Sequence, residues 1–257
     1  MPPIVLHTPH ASKEIPKGVR STFLPSDEKI ERELLLMTDA WTDEIVAHIA
    51  FDATTVIFPV SRLVVDPERF SDDADEPMAA RGMGAVYTKL STGEPLRVLS
   101  HAERRKLIAT YYEPHHAMLE KAVAAALSQF GHCLIIDIHS FSSTPLPHEL
   151  DQSDGRPEIC IGFDQFHSPF NESSDLKQVC GEHGFTAVPN RPFSGSIVPS
   201  TYWNIDARVR SFMIEIRRDV YMDEATGLKR VDFPVISRRV CSLVEELAEI
   251  AVGEKSK

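Results

Sequence analysis

The chain has 257 residues, enough to bury a sizeable core as one α/β domain or two small ones. Its 27 Lys+Arg against 38 Asp+Glu leave a net charge of −11, a surface that repels nucleic-acid phosphates and anionic lipid but leaves room for a small anionic substrate held by a few local arginines. The four cysteines are widely spaced and form no CxxC pair, which argues against a disulfide scaffold and against a thiolate zinc site.

The chain opens Met-Pro-Pro-Ile-Val-Leu-His, with no basic region ahead of an apolar run, and no uncharged apolar stretch approaches the roughly 20 residues that span a bilayer. The expectation is a cytoplasmic protein without nucleic-acid or membrane partners. Residues 4–6 read as a first strand. Residues 27–50 carry Ile30, Leu34, Met37, Trp41, Ile45 and Ile49 at spacings of three and four, which predicts one amphipathic helix. Short β-branched runs at 55–59 and 63–65 read as strands. Residues 71–95 are rich in Asp, Gly, Pro and Met without periodicity, and read as a long loop over the active-site edge. Residues 100–130 predict a long helix opened by a capping box, Ser100 with Glu103 three residues on.

The run 133–138, Cys-Leu-Ile-Ile-Asp-Ile, is apolar on both alternations until Asp137, as in a strand covered on both faces. Strands at 158–162 and 212–216 and helices at 177–183 and 234–252 complete the set. This alternation predicts an α/β sandwich with a largely parallel sheet, as one domain over 1–257.

In such sheets ligands bind beyond the carboxyl ends of the strands, so the polar residues there carry the interest. The first strand runs into His7, His10 and Glu14, the strand at 133–138 into His139 and Ser140, and the one at 63–65 into Asp66 and Arg69. Glu215 lies inside an apolar run, where an unpaired carboxylate costs several kcal/mol. Two histidines and a glutamate at strand ends suit zinc hydrolysis, which takes about three N/O ligands, an open position for water and a nearby carboxylate base. No Gly-x-Ser-x-Gly elbow is present, so a serine nucleophile is the weaker reading.

Seven segments, in order, carry a resemblance: Pro9-His-Ala-Ser-Lys-Glu-Ile-Pro16, Thr38-Asp-Ala-Trp-Thr-Asp43, Ser61-Arg-Leu-Val-Val-Asp-Pro-Glu-Arg69, Pro114-His-His116, Asp137-Ile-His-Ser140, Asn190-Arg-Pro-Phe-Ser-Gly195 and Ile214-Glu-Ile-Arg-Arg-Asp-Val-Tyr-Met222. Together they resemble the N-formylglutamate amidohydrolase family over about residues 4–225, a family similar in turn to zinc carboxypeptidases and aspartoacylases. The resemblance implies a zinc-carboxypeptidase-like three-layer sandwich with a mixed, largely parallel central sheet. It implies one zinc ion per chain, held by His10 and His139 with a carboxylate from Asp39, Glu14 or Asp43, and Glu215 as general base. It further implies Arg62, Arg69, His116, Asn190 and Arg218 as substrate contacts. The implied substrate is a small N-acyl amino acid, first of all N-formyl-L-glutamate. The rivals are a zinc carboxypeptidase or a deacylase of another N-acyl amino acid, or a non-catalytic binder of a small anionic ligand.

Overall fold

The computed structural model describes residues 3–170 and 175–253. Six strands, β1 (Ile4–Thr8), β2 (Ala53–Ile57), β3 (Cys133–Phe141), β4 (Ile159–Gly162), β5 (Ala187–Pro189) and β6 (Val209–Arg217), form one sheet in the order β2-β1-β3-β6-β4-β5. Neighbours from β2 to β6 pair in parallel; β4 runs antiparallel to β6, and β5 parallel to β4. The sheet is therefore mixed and largely parallel, as the alternation of strand and helix leads one to expect.

Strand alternation sorts the side chains to two faces. On one face Leu6, Leu134, Ile136, Ile138, Phe212 and Ile214 join a core that includes Leu243, Val244 and Leu247 of the helix α7 (Phe233–Val252). On the other, Val5, Cys133, Ile135 and Val209 pack with Leu119, Val123 and Ala126 of α5 (Glu113–Phe130). Further along this second face the same alternation reaches Asp137 and His139 on β3, and Met213 and Glu215 on β6. The first turn of α5 lies there, since His115 meets His7 of β1 at 2.8 Å. Apolar cover stops where the polar side chains begin, and that places the site.

Residues 27–50 form two helices in place of the expected one. After the single turn α1 (Lys17–Arg20), the helix α2 (Asp27–Met37) stops, Thr38 is extended, Trp41 takes the left-handed φ of 69°, and α3 (Thr42–Val46) follows. The apolar spacing continues across the break, but tertiary bonds replace the helical ones. Asp39 N–H donates to the His10 carbonyl at 3.0 Å, the Trp41 indole N–H to Gly227 O at 3.0 Å, and Arg218 takes the carbonyl of Leu36. The break turns Asp39 towards the sheet.

Residues 63–65 are a second correction. They form turns, not a strand, although Leu63, Val64 and Val65 are fully buried. Their core is a separate cluster with Phe23, Met83 and Leu96, and Arg97 takes the Val64 carbonyl at 2.8 Å. The loop 71–95 supplies much of this cluster and contains a 3₁₀ turn at Pro77–Arg81, so it is mostly packed rather than draped. The helix expected over 100–130 is continuous, as α4 (His101–Leu107), a π turn (Ile108–Tyr112) and α5, with the Ser100–Glu103 capping box in place. Pro114 lacks an N–H, and the π turn falls just ahead of it. The helix at 177–183 is α6 (Leu176–Glu182). The short β5, ending in proline, carries too little pattern to be read from sequence. All four cysteines are buried and free. No helix among the described residues is long and apolar enough to cross a membrane.

Candidate functional site

Three segments converge at the carboxyl ends of β1 and β3. His10 lies two residues past β1, Asp39 in the break between α2 and α3, and His139 on the second face of β3; all three are buried. His10 Nδ1 lies 3.3 Å from His139 Nδ1, and Asp39 Oδ2 lies 3.1 Å from His139 Nδ1 and 3.6 Å from His10 Nδ1. A tetrahedral zinc with bonds of about 2.0–2.1 Å sets its ligand atoms roughly 3.3–3.4 Å apart. The spacing of this trio fits that edge length, and two nitrogens with one carboxylate oxygen is a donor set zinc accepts.

The outer nitrogens of both histidines face carboxylates. His10 Nε2 pairs with Asp66 Oδ1 at 2.9 Å, which fixes the proton there and turns the Nδ1 lone pair inward. Asp66 in turn accepts from Arg62 Nη2 at 2.7 Å and from the Tyr87 hydroxyl at 2.6 Å. Burial works to raise the Asp66 carboxyl, but Arg62 and His10 outweigh it and hold it well below the usual carboxylate range. His139 Nε2 lies 2.9 Å from Glu68 Oε2 and 3.1 Å from Asp137 Oδ2, at ion-pair distance but without hydrogen-bond alignment. Burial disfavours charge on His139, yet Asp137 and Glu68 prevail and raise it well above the ordinary histidine value. Asp137 also accepts from His7 Nδ1 at 2.8 Å, and His7 Nε2 meets His115.

Arg218 is buried behind Asp39. Its Nη2 donates to Asp39 Oδ1 at 2.9 Å, its Nε to Ser140 Oγ at 3.0 Å and its Nη1 to Leu36 O. It is thus turned to Asp39 and not offered to a ligand. Asp39 resists protonation: burial raises it, but the bonds from His10 and His139 and the charges of His10 and Arg218 take it far below the carboxylate range.

Glu215 stands beside His139 on β6, in a row with Cys160 of β4. Its Oε2 has no hydrogen-bond partner among the described residues. Burial pushes its carboxyl up to about 8, with His139 pulling down and Asp39 pushing up. A cavity of about 920 Å³ opens onto the trio and Glu215, with Arg62, Arg69 and His116 in its wall. The Arg69 guanidinium makes no hydrogen bond among the described residues; its Nε lies 3.8 Å from Asp66 Oδ2. His116 stacks on Tyr112 at 4.1 Å and bonds Pro67 O through Nε2 at 2.7 Å.

Three expected residues stay away. Glu14 is exposed and is held by its backbone alone, its carbonyl accepting from Ser61 N at 2.8 Å and its N–H donating to Ser12 Oγ at 3.1 Å. Asp43, in the first turn of α3, is also outside the trio. Asn190 is exposed at φ 53° and spends its side chain on the Phe163 N–H at 2.9 Å, while residues 192–198 of the same loop line the cavity. Of the supporting groups, His7 and Asp66 stand among the strand-end residues that the sequence marks, but neither they nor Glu68, Asp137 and His115 are assigned a role there. A signal existed for two of them, since Val64-Val65-Asp66 and Ile135-Ile136-Asp137 end apolar runs on an acid, as Glu215 interrupts one.

The family model described as N-formylglutamate amidohydrolase matches residues 2–222. In fold the chain is similar to the crystal structure of N-formylglutamate amidohydrolase from Ralstonia eutropha JMP134, with a TM-score of 0.81, 24% identity, and 98% of this chain and 95% of that one covered. It is also similar to a gene product from Agrobacterium tumefaciens, with a TM-score of 0.62, 19% identity, and coverage of 99% and 92%. No curated protein matches the sequence.

Proposed function

The chain belongs to the N-formylglutamate amidohydrolase family, and from that premise we propose that it hydrolyses the N-acyl bond of small N-acyl amino acids, with one zinc ion held by His10, Asp39 and His139. N-formyl-L-glutamate, giving formate and glutamate, is the first substrate to assay. The observation that carries the metal reading is the convergence of two Nδ1 atoms and one carboxylate oxygen at 3.1–3.6 Å beside a buried glutamate. A zinc ion bound there supplies Lewis-acid activation of the scissile carbonyl and of water.

The chain's own groups do the rest. Glu215 takes the proton of the attacking water and delivers it to the leaving nitrogen, so that the C–N bond breaks with a neutral amine departing. Asp66 keeps His10 in the tautomer whose Nδ1 faces inward, and Arg218 is a positioning residue for Asp39. Arg69, with Arg62 beside it, receives the substrate's α-carboxylate from the cavity wall.

The test couples metal content to turnover. His10→Ala and His139→Ala should each bring bound zinc well below one per chain with a nearly unchanged circular dichroism spectrum. Chelation of the wild type should abolish formate release from N-formyl-L-glutamate, and added zinc should restore it. Full zinc content in both variants, or turnover indifferent to chelation, overturns the site.

A further inference from the structure

The cavity's charges are unevenly shared out. Arg62, Arg69 and Arg218 are the lysines and arginines that line it among the described residues. Arg218 is cancelled by Asp39, which it holds at 2.9 Å. Arg62 and Arg69 both flank the single carboxylate of Asp66, at 2.7 and 3.8 Å. Two guanidiniums around one carboxylate leave one net positive charge. That locus accommodates one substrate carboxylate, and an N-acyl amino acid fills it with its α-carboxylate.

Among the described residues that line the cavity, nothing comparable waits for a second carboxylate. The wall also carries Glu113 and Glu120, which repel an anion, while Glu149 and Asp151 occupy the guanidiniums of Arg156 and Arg191 and leave neither free for a ligand. Apolar side chains share the wall with these acids. Phe70 and Trp203 come from separate loops, lie 6.1 Å apart ring to ring, and are each about half exposed, at 49% and 46%. Phe193, Leu146 and Leu150 also line the cavity. The two rings are tilted by 57° and line the same cavity as the trio, so an apolar group laid against their exposed faces gains free energy.

We infer that the substrate's side chain is apolar or aromatic, seated against Phe70 and Trp203, and that the chain prefers such N-formyl amino acids to N-formylglutamate. The inference rests on the hydrolase reading given above and narrows it. A γ-carboxylate entering this pocket loses its water, finds no guanidinium left over and meets the acidic rim.

The experiment compares kcat/KM of the zinc-loaded full chain for N-formyl-L-phenylalanine and N-formyl-L-glutamate. The phenylalanine compound should be favoured by about tenfold or more, the discrimination an apolar pocket commonly gives. Phe70→Ala and Trp203→Ala should each bring that ratio down towards one, chiefly by lowering kcat/KM for the phenylalanine compound. Equal or better cleavage of the glutamate compound overturns the inference and leaves the hydrolase reading standing. A ratio untouched by both substitutions overturns the aromatic seat. Failure to cleave either compound brings down the hydrolase reading itself, and the preference with it.

Discussion

Glu215 shows how one side chain acquires a role from its surroundings. Its strand neighbours Ile214 and Ile216 face the apolar core, while Glu215 faces His139 on the opposite side of the sheet. Burial keeps the carboxyl protonated at neutral pH in chain stripped of metal, because its value lies near 8. Positive charge placed beside it by a bound cation favours the carboxylate instead, the form a general base needs. Glu215→Gln preserves shape and leaves the atoms of His10, Asp39 and His139 in place. Its turnover should drop by about two to four orders of magnitude, the usual share of a general base, while zinc content stays at the wild-type level. Steady-state kinetics with parallel metal analysis checks this; near wild-type turnover would hand the role to another group.

At the scale of elements, the two faces of the sheet have divided labour. The face under α7 is apolar through Leu134, Ile136 and Ile138 of β3 and Phe212 and Ile214 of β6, and Leu243 and Leu247 of that helix are fully buried against it. The face under α5 changes from Cys133 and Ile135 to Asp137 and His139 within one strand. Damage to α7 should therefore cost stability without touching chemistry. Leu243→Ala should lower unfolding free energy by about 2–5 kcal/mol, the range for a buried leucine, and leave kcat at moderate temperature close to wild type. Chemical denaturation and initial rates on the same preparation read the two effects separately. A large loss of kcat in still-folded protein would show that α7 reaches the site through the sheet.

For the molecule as a whole, the buried titratable groups set an optimum of stability with pH. Burial and the neighbouring His7 push His115 down to about 2, and burial pushes His148 down to about 4. Both histidines take protons in the unfolded chain below the ordinary 6.5 and refuse them in the fold, so their contribution is lost as pH falls. Glu215 and Glu33 run the other way. Raised by burial above the ordinary 4.5, they keep protons in the fold that the unfolded chain releases, so their contribution is lost as pH rises. Between 4.5 and 6.5 the two pairs oppose each other. Below that window Asp39, Asp66 and Asp137, all held low, add to the acid loss; above it His139, held high, adds to the alkaline loss. Metal-free protein should accordingly show its highest Tm near pH 5–6, falling on both sides. Glu215→Gln should flatten the decline towards pH 8. A Tm that climbs steadily from pH 6 to 8 contradicts this assignment of signs.

The sequence by itself determined the alternating elements, the residues of β1, β3 and β6 that reach the site, and the pairing of His10 and His139 with Glu215 in one neighbourhood. Those facts are local. An apolar run that ends on a polar residue at a strand's carboxyl end declares its position in a parallel sheet without reference to the rest of the chain. Choosing among Asp39, Asp43 and Glu14 was not local. The helical spacing across 27–50 is unbroken in sequence, and only bonds from Gly227, Arg218 and His10, all distant along the chain, stop the helix at Met37 and turn Asp39 inward. Arg218 and Arg69 likewise look alike as sequence. Tertiary structure buried the first against Asp39 and left the second facing the cavity, because a charge's availability depends on which opposite charge the fold sets beside it.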